Sequence, residues 1–327
     1  MLAGHPGVRS ETRSKVLRAL AETNYQPNAM ARAMKTSQTG SIGVVVARLS
    51  NPLYPAMLQV IGTQLARAGL RMVVWDSEHG GDEPASIALR QGIVDGVILT
   101  TATAASPFLR DAMNSRTPVV LVNRTVEGCV CDQISSDNAG GAARIAHYLL
   151  GCGRRIALIG GSLEPSTIRE RERGFREALT RENEPLPLQL YQRVDTFSHA
   201  SGREAILRLL DLAAPPDAVF CANDVIALGA IDGARNRGLR VPEDLWVVGY
   251  DDIEMASWDA YDLTTVRQPL EEMARLATEL LVERMRKPGG NAVTHCLPND
   301  LVIRGSTSRT PFPAESGRAK AGNKEKT

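Results

Sequence analysis

The chain is poor in the features on which catalysis is usually built. It carries no GxSxG, no P-loop, no HExxH and no GxGxxG behind its first strand-like run. The glycine pairs at 140–141 and 160–161 lack the rest of any phosphate-loop pattern and read as close-packing positions. Its five histidines, His5, His79, His147, His199 and His295, are scattered without ligand spacing. These absences argue against an enzyme, a resident metal and a cofactor. The five cysteines form no metal-finger spacing, and an odd number suits no closed disulfide framework. Cys129-x-Cys131, the one close pair, reads as two small residues in a loop. No apolar run approaches the ~20 residues of a membrane span, and MLAGHPGVRSETRSKV at the N-terminus has no apolar signal core. A soluble, reduced, cytoplasmic protein with no membrane partner is expected. Bulk charge is also nearly missing, at +1 overall, but its distribution is uneven. Residues 1–40 hold six bases (Arg9, Arg13, Lys15, Arg18, Arg32 and Lys35) against Glu11 and Glu22, so a basic head precedes a mildly acidic body.

What is present is a repeated alternation of short apolar runs with longer amphipathic ones. SIGVVV at 41–46, RMVVW at 71–75, GVILT at 96–100 and PVVLV at 118–122 are apolar throughout, as parallel strands covered on both faces should be. Helical segments fall between them at about 54–68, 83–93 and 106–115. A second series runs through RIALIG at 155–160, LQLYQRV at 188–194, DAVFCA at 217–222 and LWVVGY at 245–250. Its helices are expected near 138–150, 167–182, 200–211 and 224–237. Strand–helix–strand repeated this often means an α/β protein, and two such series suggest two similar lobes. Polar residues just after a strand, such as Asp137-Asn138 and Asn223-Asp224, lie at the sheet edge where open α/β folds bind ligands.

The first forty residues follow another logic. Residues 10–23 place Val16, Leu17, Leu20 and Ala21 on one face of a short helix capped by Ser10. Asn24-Tyr25-Gln26-Pro27 breaks it, and Asn28 caps the very short run AMARAMK. A segment that short cannot support a helix alone and is better suited to folding on a partner. At the other end, PFPAESGRAKAGNKEKT has no apolar periodicity and reads as a disordered tail over 311–327.

Taken in order, GHPGVRSETRSKVLRALAETNYQPNAMARAMKTSQTGSIGVV, SNPLYP (50–55), GCGRRIALIGG (151–161), RERERGFREAL (169–179), CANDVIALGA (221–230), VVGYDD (247–252) and LTTVRQP (263–269) resemble the lac repressor/purine repressor (LacI/GalR) family of bacterial regulators. The resemblance covers residues 4–308. It implies an α/β, two-lobed, periplasmic-binding-protein-like core of two parallel sheets, with an all-α headpiece helix and a hinge helix before it. The implied divisions are a headpiece remnant at 1–26, hinge and linker at 27–40 and a core at 41–310. The first lobe would take about 41–136 and 268–290, and the second about 137–267 and 291–308, with crossovers near 137, 267 and 290. The family's helix-turn-helix begins with two further helices, so the expectation is that Met1 is internal and that roughly twenty residues precede it in frame.

The same resemblance implies the sites. DNA contacts would come from Thr12, Asn28, Ala31, Arg32, Met34 and Lys35, with Met34 as an apolar minor-groove wedge. By spacing alone, Met30 and Met34 form only a small apolar stripe. An effector would be held by Leu53, Tyr54, Asn123, Arg124, Asp137, Arg171, Phe197, Asn223, Asp251 and Gln268. Carboxylates can accept paired hydrogen bonds from hydroxyls, arginine offers a fixed fork, and phenylalanine stacks on an apolar sugar or base face. Each has a plainer alternative: Asp137 and Asn223 as helix caps, Phe197 as core, Arg124 as a solvated loop charge, Arg171 as one charge on a helix face. Neither Arg171 nor Asp251 reads as core. The expected function is a homodimeric, ligand-responsive regulator of an operator, with a sugar or sugar acid as effector and no cofactor. Two rivals stand beside it: a headless effector binder without specific DNA binding, and a transport-type sugar-binding protein, which would need an export signal and no hinge.

Overall fold

The computed structural model describes residues 10–22 and 38–307. Helix α1 (Ser10–Glu22) comes first, with Glu11 and Lys15 paired one turn apart on its exposed surface. From residue 41 onward, strands and helices alternate. The first run is β1 (Ser41–Val46), α2 (Leu53–Arg67), β2 (Arg71–Asp76), α3 (Asp82–Arg90), β3 (Gly96–Leu99), α4 (Pro107–Met113), β4 (Val119–Val122) and β5 (Asp132–Ser136). The second is α5 (Asn138–Leu150), β6 (Ile156–Gly160), α6 (Ser166–Arg181), β7 (Tyr191–Arg193), α7 (His199–Leu210), β8 (Ala218–Cys221), α8 (Asp224–Asn236) and β9 (Trp246–Val248). The chain then crosses between lobes through β10 (Thr265–Arg267), α9 (Leu270–Arg286), β11 (Thr294–Leu297) and β12 (Asp300–Val302).

The first sheet is parallel, in the order β11-β5-β4-β3-β1-β2, and the second is parallel in the order β7-β6-β8-β9. The alternation of side chains explains why the strands are apolar at every position. Ile42, Val44, Ile98 and Val120 join Met57, Ile61, Leu65, Met273 and Leu281 on one face of the first sheet. Val45, Val97, Leu99 and Leu121 join Leu89 and Phe108 on the other. The second sheet is clad the same way, with Phe175 and Trp246 in one layer and Ile206, Ile226 and Leu245 in the other.

Several elements depart from the sequence reading. Of the run 188–194, Leu188–Leu190 is a single 3₁₀ turn and only Tyr191–Arg193 pairs as a strand. Strand β11 pairs with β5, so residues 294–297 belong to the first sheet rather than to the second lobe. The third crossing therefore falls between β11 and β12 at 298–299, not near 290. Asn299 binds that crossing to the first: its Nδ2 donates to Ser136 Oγ at 2.6 Å and to the Asp137 carbonyl at 2.9 Å. Among the described residues, no helix is long and apolar enough to cross a membrane.

Candidate functional site

The carboxyl ends of the strands face one another between the lobes, and the loops there border a narrow cleft. Arg48, Asn51, Leu53, Tyr54, Asn123 and Arg124 line it from the first lobe. Pro165, Thr167, Ile168, Arg171, Phe197, Asn223 and Asp251 line it from the second. Three of these lining residues adopt left-handed backbone although none is glycine: Arg48 at φ 61°, Asn123 at φ 75° and Asp251 at φ 122°. Such conformations are costly for side-chain-bearing residues and cluster where a side chain must be aimed. Leu53 crosses the cleft mouth, is 4% exposed, and belongs to the apolar cluster of the second lobe with Ile226, Leu228 and Ile253.

Arg171 is the centre of the second lobe's contribution. It projects from α6, its Nη2 donates to Asp251 Oδ1 at 2.8 Å, and its Nη1 donates to the Ala222 carbonyl at 2.8 Å. Its Nε donates to Asn138 Oδ1 at 3.0 Å, and the Tyr250 ring lies 3.7 Å beneath the guanidinium carbon. Gln268 Nε2 donates to the same Asp251 Oδ1 at 2.7 Å, so Oδ2 carries neither bond. Burial pushes the Asp251 carboxyl up from its ordinary value, while the Arg171 guanidinium and Gln268 amide hold it down. Both members of the pair are almost fully buried. Arg171 and Asp251 are thus part of the packed interior as well as of the cleft, contrary to the sequence reading. Removing either alone would strand a buried charge.

In the first lobe, Arg124 Nη1 donates to the Thr101 carbonyl at 2.8 Å and Nη2 to the Tyr54 hydroxyl at 2.9 Å. Its Nε and the neighbouring Asn123 Oδ1 are buried with no hydrogen-bond partner. Orphaned buried polar atoms are rare and costly, and a ligand is a ready explanation where they line a cleft. Across the gap, the Phe197 ring has the Arg48 guanidinium 4.9 Å above it. Gly161, the residue after β6, makes room for that ring, since a Cβ there would sit 2.4 Å from Phe197 Cε1.

The remaining sequence-derived candidates divide. Asn223 lines the cleft and also caps α8, its Oδ1 accepting from Ile226 N at 2.9 Å. Gln268 stands behind the cleft and acts on it through Asp251. Asp137 is not in the cleft: its Oδ1 caps α5 through Gly140 N at 2.9 Å, and it borders a separate groove with Glu170 and Cys296. The plain capping alternative holds for that residue. Thr12 is exposed on α1, while Asn28, Ala31, Arg32, Met34 and Lys35 lie outside the described residues. Arg48, Asn51, Pro165, Thr167 and Ile168 line the cleft without having been expected from the sequence. The place of Arg48 just after a parallel strand was the available signal. Away from the cleft, the Cys129 and Cys131 sulfurs lie 2.9 Å apart at the edge of the first lobe's core.

Two α/β lobes closing on a polar cleft at their strand ends, joined by three crossings, define a periplasmic-binding-protein-like ligand receptor. A family model for a periplasmic binding protein-like domain matches residues 146–307. The ribose operon repressor of Escherichia coli strain K12 is 33% identical over 300 residues, 90% of this chain and 90% of that protein. A transcriptional regulator CelR–cellobiose complex is 31% identical, with a TM-score of 0.76 over 93% of each chain. A lac repressor dimer bound to operator and the anti-inducer ONPF is 28% identical, with a TM-score of 0.81 over 94% of this chain and 93% of that one. The chain belongs to the LacI family of transcriptional regulators. It is a ligand-responsive repressor, not an enzyme.

Proposed function

We propose that a small polyhydroxylated ligand, a sugar or sugar acid, sits between the lobes and sets the affinity of a homodimer for its operator. Asn123, Arg124, Arg171, Asn223 and Asp251 would take its polar groups, Phe197 its apolar face, and Tyr54 and Leu53 would close the mouth. The observation that carries this reading is that Asn123 and Arg124, each with a buried polar atom left unpartnered, line the same cleft as Asp251, whose Oδ2 takes no bond from Arg171 or Gln268. Relatives named for ribose and complexed with cellobiose support the ligand class. The coupling to DNA would run through residues 27–40, where Asn28, Ala31, Arg32, Met34 and Lys35 meet the minor groove. Effector and operator then prefer different lobe arrangements, and each weakens or strengthens the other by the same factor.

The test is titration calorimetry of the chain with D-ribose, D-glucose, cellobiose and D-gluconate, repeated on Asp251→Asn and Phe197→Leu. Circular dichroism separates lost binding from lost fold. Asp251→Asn is expected to cost about 1.5–3 kcal/mol of affinity, roughly ten- to over a hundredfold, because it weakens hydrogen bonds to a charged group. Unchanged affinity in both folded variants removes the cleft from ligand binding.

A further inference from the structure

The cleft has an imbalance of charge that a neutral sugar would not answer. Its lining carries three guanidinium groups, Arg48, Arg124 and Arg171, against one carboxylate, Asp251. Arg171 and Asp251 neutralise each other through their 2.8 Å contact. That leaves two cations. Among the described residues, neither the Arg48 nor the Arg124 guanidinium is paired with a carboxylate; Glu78 Oε2 accepts from the Arg48 backbone N at 2.9 Å instead. Arg124 is only 6% exposed and spends two of its five donors on the Thr101 carbonyl and the Tyr54 hydroxyl, which are neutral acceptors. Its Nε is buried without any acceptor. A desolvated guanidinium with a spare donor is costly to keep unless something negative completes it. Arg48 holds its guanidinium against the Phe197 ring, the surface on which the ligand's apolar face would stack.

We infer that the effector of this chain is a hydroxylated anion, its carboxylate or phosphate group held in the first lobe by Arg124 and Arg48 and its hydroxyls in the second by Asp251 and Asn223. The inference rests on the effector-cleft reading above. Guanidinium suits either acid, because its planar fork matches both carboxylate and phosphate.

Calorimetry with D-gluconate, D-glucuronate and D-glucose 6-phosphate beside their neutral parent D-glucose tests this, at about 20 and 200 mM salt. At least one anion should bind about tenfold or more tightly than D-glucose, and its advantage should shrink at high salt. Arg124→Gln should remove most of that advantage. Because Arg124 is buried and could be needed for folding, Arg48→Gln at the half-buried position provides the second arm, with a smaller loss of the same sign. The two anion classes are told apart by which of the three ligands responds to both variants. A cleft that takes D-glucose as well as or better than every acid, or takes none of the acids, overturns the inference. Should a neutral sugar bind and lose affinity in Asp251→Asn, the effector cleft stands and only the anion is refuted.

Discussion

Asp224 shows how much a single residue can owe to its surroundings. It opens α8 and is fully buried, with Oδ1 accepting from Thr265 Oγ1 at 2.6 Å and Oδ2 from Ile253 N at 2.9 Å. Burial, reinforced by the nearby Asp251 charge, pushes its carboxyl from 3.8 up to about 7. The folded state therefore holds this proton more tightly than the unfolded chain does. Its contribution to stability is complete below about pH 4 and is lost as pH rises toward 7. Asp224→Asn keeps the shape and deletes the titration, since an amide can accept from Ile253 N and donate to the threonine hydroxyl. The melting temperature of the wild-type chain should fall relative to that of Asp224→Asn between pH 5 and 7.5. Parallel curves for the two proteins across that range would show that Asp224 does not titrate there. At this scale the sequence was legible where chemistry coincided with a strand end, as at Asp251, Asn123 and Arg124. It was not legible where two roles share one residue type. Asp137 and Asn223 both follow a strand and both cap a helix, yet only Asn223 also reaches the cleft.

Among the elements, the helices of the second lobe approach closely because glycine faces backbone. A Cβ on Gly229 of α8 would stand 1.9 Å from the His199 carbonyl oxygen of α7, and neither backbone can yield without moving a helix. Gly238, just beyond α8, has open space around it but a left-handed backbone at φ +79°. Gly229→Ala should cost about 1–3 kcal/mol by overpacking, and Gly238→Ala roughly 1–2 kcal/mol by strain. Asparagine separates the two causes. It tolerates the left-handed region, so Gly238→Asn should unfold in urea at a higher midpoint than Gly238→Ala, whereas Gly229→Asn should be worse than Gly229→Ala. The opposite order at either position would mean the wrong cause was assigned. Elements with strong patterns, β1 to β4 and the helices after them, were readable because apolar runs of that length have few alternatives. Strands β5, β10, β11 and β12 were not. They are short, carry polar residues such as Gln133, Thr265 and Asp300, and owe their pairing to partners distant in sequence. The placement of Thr294–Leu297 on the first sheet is a tertiary fact with no local signature.

Across the whole molecule, the crossings tie the cleft to the joints between the lobes. Gln268 stands at the second crossing and holds Asp251, Asp251 holds Arg171, and Arg171 reaches Asn138 beside the first crossing. A ligand that perturbs Asp251 therefore acts on groups next to two of the three connections about which the lobes can turn. Under the proposed reading, Met34→Gly removes the minor-groove wedge and lowers helix propensity in the hinge. In a chain that carries the complete helix-turn-helix headpiece, operator retention in a gel shift should weaken, while the ligand affinity of the cleft stays within about twofold, because no cleft residue is touched. A variant that holds operator as well as the parent chain would detach Met34 from DNA binding.

The leucine at the mouth of the cleft gives this motion a grain. Leu53 starts in the first lobe and is buried in the apolar cluster of the second. A side chain half drawn from such a socket has lost its contacts and exposed the space it filled, without gaining new neighbours. The arrangement described is therefore held by a catch: parting the lobes at this point first costs the burial of one leucine, whatever the ligand contributes.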